Sequence, residues 1–373
     1  MRTTGYGLRG KIETMTLREL NRATLARQML LAREKRPLVK AIEHLLGLQA
    51  QLPRPPFTGL WSRLDTFTRA DLATAVNTRT VVRGTSMRGT IHLMTAADFL
   101  KFRGCLQPSL DLGMRTILRE RAETLDLPAL LAVARTYFRQ PHNFEDVRDH
   151  LVSKFSGGDE RAMGYAVRVG LPLVQVPSAD AWAYPAQADF VSAATWLGKP
   201  VAACGALGPL VLRYLAAYGP ATVKDAQAWT GLSNLEATFA GLGDRLVTVP
   251  GPNGKPLFDL PGAPRPDADT PAPVRFLPEW DSVIVTRADE RIVAKVDRPR
   301  VFLPGLRVAA LVLVDGMAAA SWKVSATSRK ATLQIESFKT WPVAVRREVL
   351  AEGESLLRFV EPQAKTFDVA VTT

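Results

Sequence analysis

Apolar residues at helical spacing mark the first part of the chain. Residues 16–35 carry apolar residues at helical spacing, among them Leu17, Leu20, Leu25 and Met29, and the segment 37–49 repeats apolar residues in a similar way. This spacing places the apolar side chains on one face of a helix, so both segments are predicted to be amphipathic helices. Because Pro53 disfavours a helical conformation for the residue before it, the second helix is predicted to end near Leu48.

A short pattern occurs three times along the next 170 positions or so. Each copy combines a Thr or Asn that can cap a helix, a charged first turn with an Asp, and apolar residues behind it. The copies span residues 67–76, 143–152 and 221–232. Each is followed by a second helical stretch or by strand-like sequence, which is the order of helices and hairpin in a winged helix.

Short β-rich passages beside turn residues supply the strands of these hairpins. The predicted pairs are 81–87 with 89–94, 171–177 with 178–186, and 245–250 with 256–261. They indicate an α+β protein with three tandem winged-helix modules. The predicted module boundaries are 1–103, 104–200 and 201–262. The alternative is that any α+β protein offers a few passages of helix and hairpin.

The C-terminal part of the chain has a different pattern. Residues 261–273 are rich in Pro, Asp and Ala, which is typical of a linker. Beyond them, two apolar runs flank a Val-Asp-Gly turn at 314–316, a strong hairpin signal. Another strand, a helix and a last strand follow, so residues 274–373 are predicted to form a β-rich region with one helix.

The composition adds a strong positive charge to this picture. The formal net charge is +12 and the pI is about 9.9, a balance that favours polyanionic partners. The alternative is that the positive charge only reflects an arginine-rich proteome. The longest apolar run, 308–314, is too short to span a membrane, and residues 1–11 lack the apolar core of a secretion signal.

Several kinds of chemistry are excluded by the motifs that the sequence lacks. It has no phosphate-binding GxxxxGK loop, no GxGxxG after a strand, no HExxH and no GxSxG. The four histidines show no ligand spacing. Cys105 and Cys204 stand far apart, so neither a zinc site nor a disulfide framework is expected, and a reducing cytoplasm fits. No cofactor or metal is therefore predicted.

The most unusual polar feature is the sequence Gln-Ala-Gln at 49–51, directly before a proline-rich turn. In an extended segment, residues i and i+2 point the same way, so both amides are predicted to converge on one spot. Amides do not titrate, but they donate and accept hydrogen bonds and can hold a water molecule in place. The alternative, which the residues alone favour, is that Gln49 and Gln51 satisfy backbone groups at the helix end.

The residues 27–64, together with 88–99, resemble the winged-helix DNA glycosylases of the azinomycin-resistance type (AlkZ-like), a family marked by a QxQ motif. The likeness covers most of the chain and includes 216–232, 274–285 and 313–323. The resemblance implies that Gln49 and Gln51 are the catalytic pair. It also implies three winged helices in a C shape around a DNA channel, and hydrolysis of the N-glycosidic bond of alkylated purines, notably N7-alkylguanine and crosslinks that contain it.

That reaction suits two amides. Glycosidic cleavage passes through an oxocarbenium-like state and usually needs an acid that protonates the leaving group. N7-alkylation already makes the guanine cationic, so the base leaves neutral without an acid. A non-catalytic winged-helix transcriptional regulator, in which the glutamines are structural, is the alternative function.

The expected partner is double-stranded DNA with alkylated purines, bound by a monomer in the cytoplasm, at the nucleoid and not at a membrane. Basic residues near the glutamines and on the C-terminal hairpin are the candidate DNA contacts, with a solvated surface as the plain alternative. For the histidine among them, a satisfied structural ring within an apolar strand is the alternative. The candidates are Arg54, Arg63, Arg83, Arg88, His92, Lys323, Arg329 and Lys330.

Overall fold

A computed structural model of the chain describes residues 14–285 and 289–372. The expectation that the N-terminus carries no secretion signal concerns residues outside this part. Helices predominate up to residue 245, and strands predominate after it, so the α+β class is confirmed. Within the described ranges, no helix combines the length and apolar character that a membrane crossing needs.

The helices vary from four to eighteen residues in length. They are α1 Leu17–Arg27, α2 Leu38–His44, α3 Pro55–Trp61, α4 Arg69–Asn77, α5 Ala96–Phe102, α6 Gln107–Leu118, α7 Glu120–Glu123, α8 Leu127–Tyr137, α9 Phe144–Lys154, α10 Glu160–Gly170, α11 Ala193–Leu197, α12 Gly208–Tyr218, α13 Val223–Thr230, α14 Glu236–Gly241, α15 Ser282–Val285, α16 Arg298–Val301 and α17 Val343–Val360.

The strands form two larger sheets and two hairpins. They are β1 Leu48–Gln49, β2 Val81–Thr85, β3 Ile91–Thr95, β4 Leu173–Gln175, β5 Phe190–Ser192, β6 Val247–Pro250, β7 Pro256–Asp259, β8 Arg275–Leu277, β9 Phe302–Leu303, β10 Arg307–Val308, β11 Leu311–Val314, β12 Met317–Ala326, β13 Lys330–Ser337 and β14 Thr366–Thr372.

The three repeated patterns all begin helices, as the sequence predicts. Thr68 and Asp71 form a reciprocal capping box at the start of α4, and Thr222 and Asp225 form another at α13. At α9 the side chain of Asn143 accepts from two backbone N–H groups of the first turn. These caps satisfy N–H groups that have no partner inside the helix, which is why the pattern locates the helix starts.

The strands of the first predicted hairpin share one sheet with β1, β4 and β5, in the order β1-β3-β2-β4-β5. The pairing of β2 with β3 confirms the first hairpin. The joint between the halves lies at Gly84, which pairs with Val174. A Cβ on Gly84 would come within 2.5 Å of the carbonyl oxygen of Leu173, so this close approach requires glycine.

The predicted partner of 171–177 was wrong. β4 pairs with β5 at Phe190–Ser192 and not with residues 178–186. The side chain of Ser178 bonds the carboxylate of Asp180, and the Ser178 N–H donates to the carbonyl of Ala183. These local bonds fold the segment into a turn, so the chain returns to the sheet several residues later.

Both N-terminal helices end earlier than the apolar pattern predicts. The helix predicted for 16–35 stops at Arg27, and Met29 then adopts a left-handed φ of 56°. The helix α2 stops at His44, and left-handed φ values at Leu46 and Gly47 turn the chain into β1. The apolar spacing continues past both ends because these residues are still buried, although they are no longer helical.

The segment 261–273 has no helix or strand, as predicted for a linker. It is nevertheless held against α1 by three arginines, whose guanidinium groups donate to backbone carbonyls of the segment. The pairs are Arg18 with Ala268, Arg22 with Thr270, and Arg27 with Pro264. The connection is therefore docked on the N-terminal helix along most of its length.

The C-terminal region is a five-stranded sheet with the order β14-β13-β12-β11-β8, packed on α17. The predicted Val-Asp-Gly turn is confirmed: Asp315 and Gly316 both have positive φ and connect β11 to β12. β14 runs parallel to β13, because α17 crosses from one end of the sheet to the other between them.

The two cysteines correct the sequence expectation. Cys105 and Cys204 form a disulfide with their Cα atoms 4.2 Å apart, although 99 residues separate them in sequence. Gly104 lies directly against the backbone of Ala202, and the Ala202 N–H donates to Leu100, so the backbone contact brings the thiols together. The expectation of a reducing cytoplasm rested on two unpaired cysteines, so the disulfide removes this support for it.

A buried ion pair ties α1 to β7, and its removal should destabilise the fold. Arg27 and Asp259 are 2.6 Å apart, with 1% and 0% of their side chains exposed. Asp259→Asn leaves the guanidinium without its counter-charge, so the free energy of unfolding should fall by about 3–5 kcal/mol in urea titrations. The control is Glu354→Gln, which breaks the exposed pair with Arg358 and should cost about 0.5 kcal/mol or less. Equal effects of the two substitutions would contradict the prediction.

Candidate active site

The two-residue strand β1 positions the first glutamine. Leu48 and Gln49 pair antiparallel with Leu93 and His92 of β3. The strand can approach β3 because residue 47 is glycine: a Cβ there would lie 2.8 Å from the Met94 side chain and 2.9 Å from the Leu93 carbonyl oxygen. Gln49 is thus extended, as the sequence predicts, at the edge of the five-stranded sheet.

The ladder ends at the next residue, and Gln51 occupies the position where it ends. The Ala50 N–H still donates to the Ile91 carbonyl oxygen at 2.7 Å. The return bond is missing, and the Ile91 N–H points instead to Oε1 of Gln51 at 3.4 Å. The side chain of Gln51 therefore accepts from a backbone N–H group at the end of a strand, and it remains exposed.

Arg83 holds the backbone between the two glutamines. Its Nε donates to the Ala50 carbonyl oxygen at 2.9 Å, and a terminal nitrogen donates to the Gln51 carbonyl oxygen at 3.2 Å. The guanidinium also lies 5.1 Å from the centre of the Tyr184 ring. Burial lowers the pKa of Arg83 to about 10, so it stays charged at neutral pH. This residue was predicted to contact DNA; it is 3% exposed and supports the loop instead.

Arg88 fixes the orientation of the first amide. One of its terminal nitrogens donates to Oε1 of Gln49 at 2.9 Å, and the other donates to the carbonyl of Trp229 on α13. Burial lowers the pKa of Arg88 to about 10. This second predicted DNA contact is therefore engaged within the protein, where it links the glutamine to the α13 region. With Oε1 bound to a donor, the NH₂ group of Gln49 faces away from Arg88.

His92 is fully buried opposite Gln49, and its assignment as a DNA contact stays a prediction. Its Nδ1 lies 3.1 Å from the Thr90 carbonyl oxygen, a contact that requires the proton on Nδ1. The other nitrogen, Nε2, is then an acceptor, and it has no hydrogen-bond partner in the described part of the chain. Burial and the charge of Arg88 lower the pKa of His92 to about 3, so the ring is neutral.

Gln49 and Gln51 line two different cavities. Gln49 lines a narrow cleft of about 10 Å³, together with Gln28, Arg63, Tyr218 and Asp281. A polar space of this size accommodates about one water molecule. Gln51 lines a wide cavity of about 510 Å³. The predicted convergence of both amides on a single water molecule stays a prediction, because each amide has its own hydrogen-bond partner and its own cavity.

Arg54 and Arg63 are also engaged within the protein. Arg63 is 1% exposed and makes a two-point ion pair with Asp281, at 2.8 Å for both bonds. Arg54 is half-buried at the start of α3, 3.4 Å from Glu361 and over the ring of Trp182. The assignment of Arg63 as a DNA contact stays a prediction. Its partner Asp281 lies 218 residues away, so the local sequence gives no sign of the ion pair.

The three C-terminal candidates are exposed. Lys323 lies on β12, Arg329 lies in the turn after it, and Lys330 opens β13. Lys330 pairs with Asp368 at 3.2 Å in an exposed contact. Lys323 and Arg329 remain open to an anionic partner, and their role stays a prediction.

The wide cavity contains basic residues that the sequence reasoning missed. Its lining includes Arg148 on α9, and Arg161, Tyr165 and Arg168 on α10. The three on α10 are spaced i, i+4 and i+7, so they share one face of the helix. This spacing was readable in the sequence, but nothing in it indicated that the face meets Gln51. Among residues 14–285 and 289–372, no group of three or more His, Cys, Asp or Glu side chains is placed to hold a metal ion.

Comparisons with known proteins identify a family and a related fold. The family described as DNA glycosylase AlkZ-like matches residues 42–359 of the chain. The solved structure of the Streptomyces sahachiroi DNA glycosylase AlkZ matches with a TM-score of 0.78 at 17% sequence identity, over 96% of this chain and 100% of that chain. At this identity the structural match shows a common fold. No curated protein sequence matches the chain.

The buried neutral state of His92 predicts a pH dependence of stability. Its pKa is about 3 in the folded protein and about 6.5 in the unfolded chain, so the unfolded state binds more protons between these values. The stabilisation is present above pH 6.5 and is lost as the pH falls towards 3. Between pH 7 and pH 5 the parent should lose about 2 kcal/mol more than His92→Gln in urea titrations. Parallel pH profiles would show that His92 is not the titrating group.

Proposed function

Because the chain belongs to the AlkZ-like family of DNA glycosylases, we propose that it hydrolyses the N-glycosidic bond of alkylated purines in double-stranded DNA. N7-alkylguanine is the proposed substrate, and interstrand crosslinks that contain this lesion are a further one. The proposed enzyme is monofunctional: water is the nucleophile, and no cofactor takes part. Family membership displaces the alternative of a non-catalytic transcriptional regulator.

The chemistry of the leaving group is the first support for this proposal. Alkylation at N7 places a positive charge on guanine, so cleavage of the bond to the sugar releases a neutral base. The sugar becomes cationic as the bond breaks, and water then attacks it. An acid that protonates the base is unnecessary, which is consistent with a site whose central side chains are two amides.

The amides would act by position and by their dipoles. Arg88 holds Oε1 of Gln49, which directs its NH₂ group towards the remaining polar surroundings. The cleft beside Gln49 has the size of about one water molecule, so a water there has an amide, Tyr218 and Asp281 as neighbours. Placing a nucleophile and stabilising a cation with an amide oxygen are both established contributions to rate.

The observation that carries the proposal is the exposure of Gln51 at the mouth of the arginine-lined cavity. A glutamine that only closed the end of a ladder would need no such opening, whereas a group that acts on DNA must be reachable. Cationic walls suit a polyanionic substrate. Arg83 bonds the carbonyl oxygens on both sides of Gln51, so the exposed side chain stands on a rigid support.

The organisation of the chain is part of the proposal. Three tandem winged-helix modules at 1–103, 104–200 and 201–262, arranged in a C shape, would precede the β-rich region at 274–373. The order of helices and strands after each cap supports this division. We also propose that the enzyme acts as a monomer in the cytoplasm, at the nucleoid.

A DNA channel predicts steep salt dependence. Each phosphate that is neutralised releases counterions, so duplex affinity should fall by roughly 10³–10⁵ between 50 and 200 mM salt if about 6–10 phosphates are contacted. Fluorescence anisotropy with a labelled duplex measures this slope. A nearly flat dependence would remove the case for a channel.

The glutamine pair predicts a loss of base release. Gln51→Ala should abolish most abasic-site formation in duplexes with a single 7-methylguanine, with little change in melting temperature, since its side chain is exposed. Gln51→Asp should keep substantial activity, because a carboxylate also holds water and stabilises a cationic sugar. Gln49→Ala should be at least as damaging as Gln51→Ala. Strand breaks after heating in alkali report the single-turnover rate at saturating enzyme.

The matched control is Gln363→Ala, an exposed glutamine in the turn before β14. It should cleave at the rate of the parent. Gln49 is buried and bonded to Arg88, so its variant also needs an unfolding titration. If both Gln49→Ala and Gln51→Ala cleave at the parental rate, the glutamines only complete the strand end.

A further inference from the structure

One face of α10 forms a wall of the cavity that contains Gln51. Arg161, Gly164, Tyr165 and Arg168 recur at the spacing of successive helical turns, and all four line the cavity. Gly164 allows the neighbouring helix to come close: a Cβ there would lie 3.2 Å from Cγ of Arg148 on α9. Two packed helices, α9 and α10, therefore form this wall of the cavity.

Only some of the arginines that line this cavity have a protein counter-charge. Arg148 has a carboxylate partner, Glu160, at 3.2 Å, and Arg83 is engaged with carbonyl groups. Arg161 and Arg168 make no ion pair within the part of the chain that the structure describes, although Glu145 also lines the cavity. Two cations without a protein counter-charge therefore face the space beside Gln51.

Arg168 has a second feature that indicates a ligand. Its Nε is buried and has no hydrogen-bond partner among the described residues. Burial lowers the pKa of its guanidinium. The guanidinium lies 5.6 Å from the centre of the Tyr165 ring, which keeps it over the cavity. A buried donor that the protein leaves unsatisfied is uncommon, and an anion would complete it.

We propose that Arg161 and Arg168 bind two backbone phosphates of the DNA strand that carries the lesion, and so place its sugar against Gln51. This inference rests on the proposed function and adds the binding site that orients the substrate. Seven residues of helix rise about 10 Å, so the two guanidinium groups contact separate phosphates of one strand and not a single phosphate. Phosphate contacts fix the register of a protein on DNA without reading its sequence.

The binding experiment uses the full chain and a duplex that contains a single 2′-fluoro-7-methylguanosine, whose fluorine slows loss of the base. Arg161→Gln and Arg168→Gln should each raise the Kd about tenfold. Each should also reduce the slope of log Kd against log salt by about 1. The matched control is Arg135→Gln, an exposed arginine in the last turn of α8, outside the cavity lining. It should change the Kd by less than about twofold, since a single distant surface charge is largely screened.

A scan with neutral phosphates locates the contacts. Methylphosphonate replaces one phosphate at a time, on either strand, within three positions of the lesion. The parent should lose affinity at two positions of the lesion strand. Arg161→Gln should be insensitive at one of them and Arg168→Gln at the other, because each variant has already lost that contact.

Kinetics separates this binding role from catalysis. With natural 7-methylguanine duplex, both arginine variants should lose about tenfold in kcat/KM but release the base at nearly the parental rate when enzyme saturates the DNA. Gln51→Ala should instead lower the saturated rate and kcat/KM by the same factor and leave the Kd unchanged. A folding defect of α10 is excluded as the cause if Arg161→Gln and Arg168→Gln both keep the free energy of unfolding of the parent in urea titrations.

The outcomes are distinct for the two proposals. Unchanged affinity of both arginine variants, or sensitivity to the same neutral phosphates in variants and parent, would overturn the phosphate site while leaving the glycosylase function intact. A parent that releases no 7-methylguanine would overturn the proposed function. The methylphosphonate scan would still decide whether Arg161 and Arg168 bind the strand, because it measures binding alone.

Discussion

The pairing of β1 with β3 is the constraint on which the candidate site depends. The strand is only two residues long, so one backbone ladder sets both the register of Gln49 against His92 and the place where the ladder ends. At that end, Arg83 takes the Ala50 carbonyl oxygen that β3 would otherwise bind, and the Ile91 N–H is left to Gln51. A one-residue slip would turn both glutamines to the other face of the sheet. Gly47 secures the register, because only glycine fits so close to Met94.

Several arginines of this strongly basic chain connect elements that are far apart in sequence. Arg27 joins α1 to β7, Arg63 joins α3 to the loop before α15, and Arg88 joins the first sheet to α13. Each donates to several acceptors far away in sequence, which a planar group with five N–H donors does well. Arg27 and Arg63 are each neutralised by an aspartate, so the net charge of +12 already accounts for them. Arg88 differs, because the groups that it bonds inside the fold are neutral.

This use of arginine connects stability to the site. Arg88 bonds both Gln49 and the carbonyl of Trp229, so the orientation of the first amide depends on how α13 packs against the sheet. Arg83 likewise couples the loop to Tyr184, which lies beyond β4. The cavity beside Gln51 is formed between the first sheet and the helices α9 and α10, so the parts of the chain before and after residue 104 both contribute to it.

The sequence by itself determined the local elements. Caps such as Thr68, Asn143 and Thr222, and the turn at Asp315 and Gly316, depend on neighbours within a few residues, so they could be predicted. The resemblance around the QxQ motif led to the family, and the extended conformation at Gln49 followed from the prolines behind it. The tertiary structure alone decided which cations are free. Arg63 and Asp281 lie 218 residues apart, and Cys105 and Cys204 lie 99 residues apart. No local pattern reports such contacts, because burial and charge compensation arise only when distant segments pack. For the same reason Arg161 and Arg168 escaped notice: their helix face is ordinary until the fold places it beside Gln51.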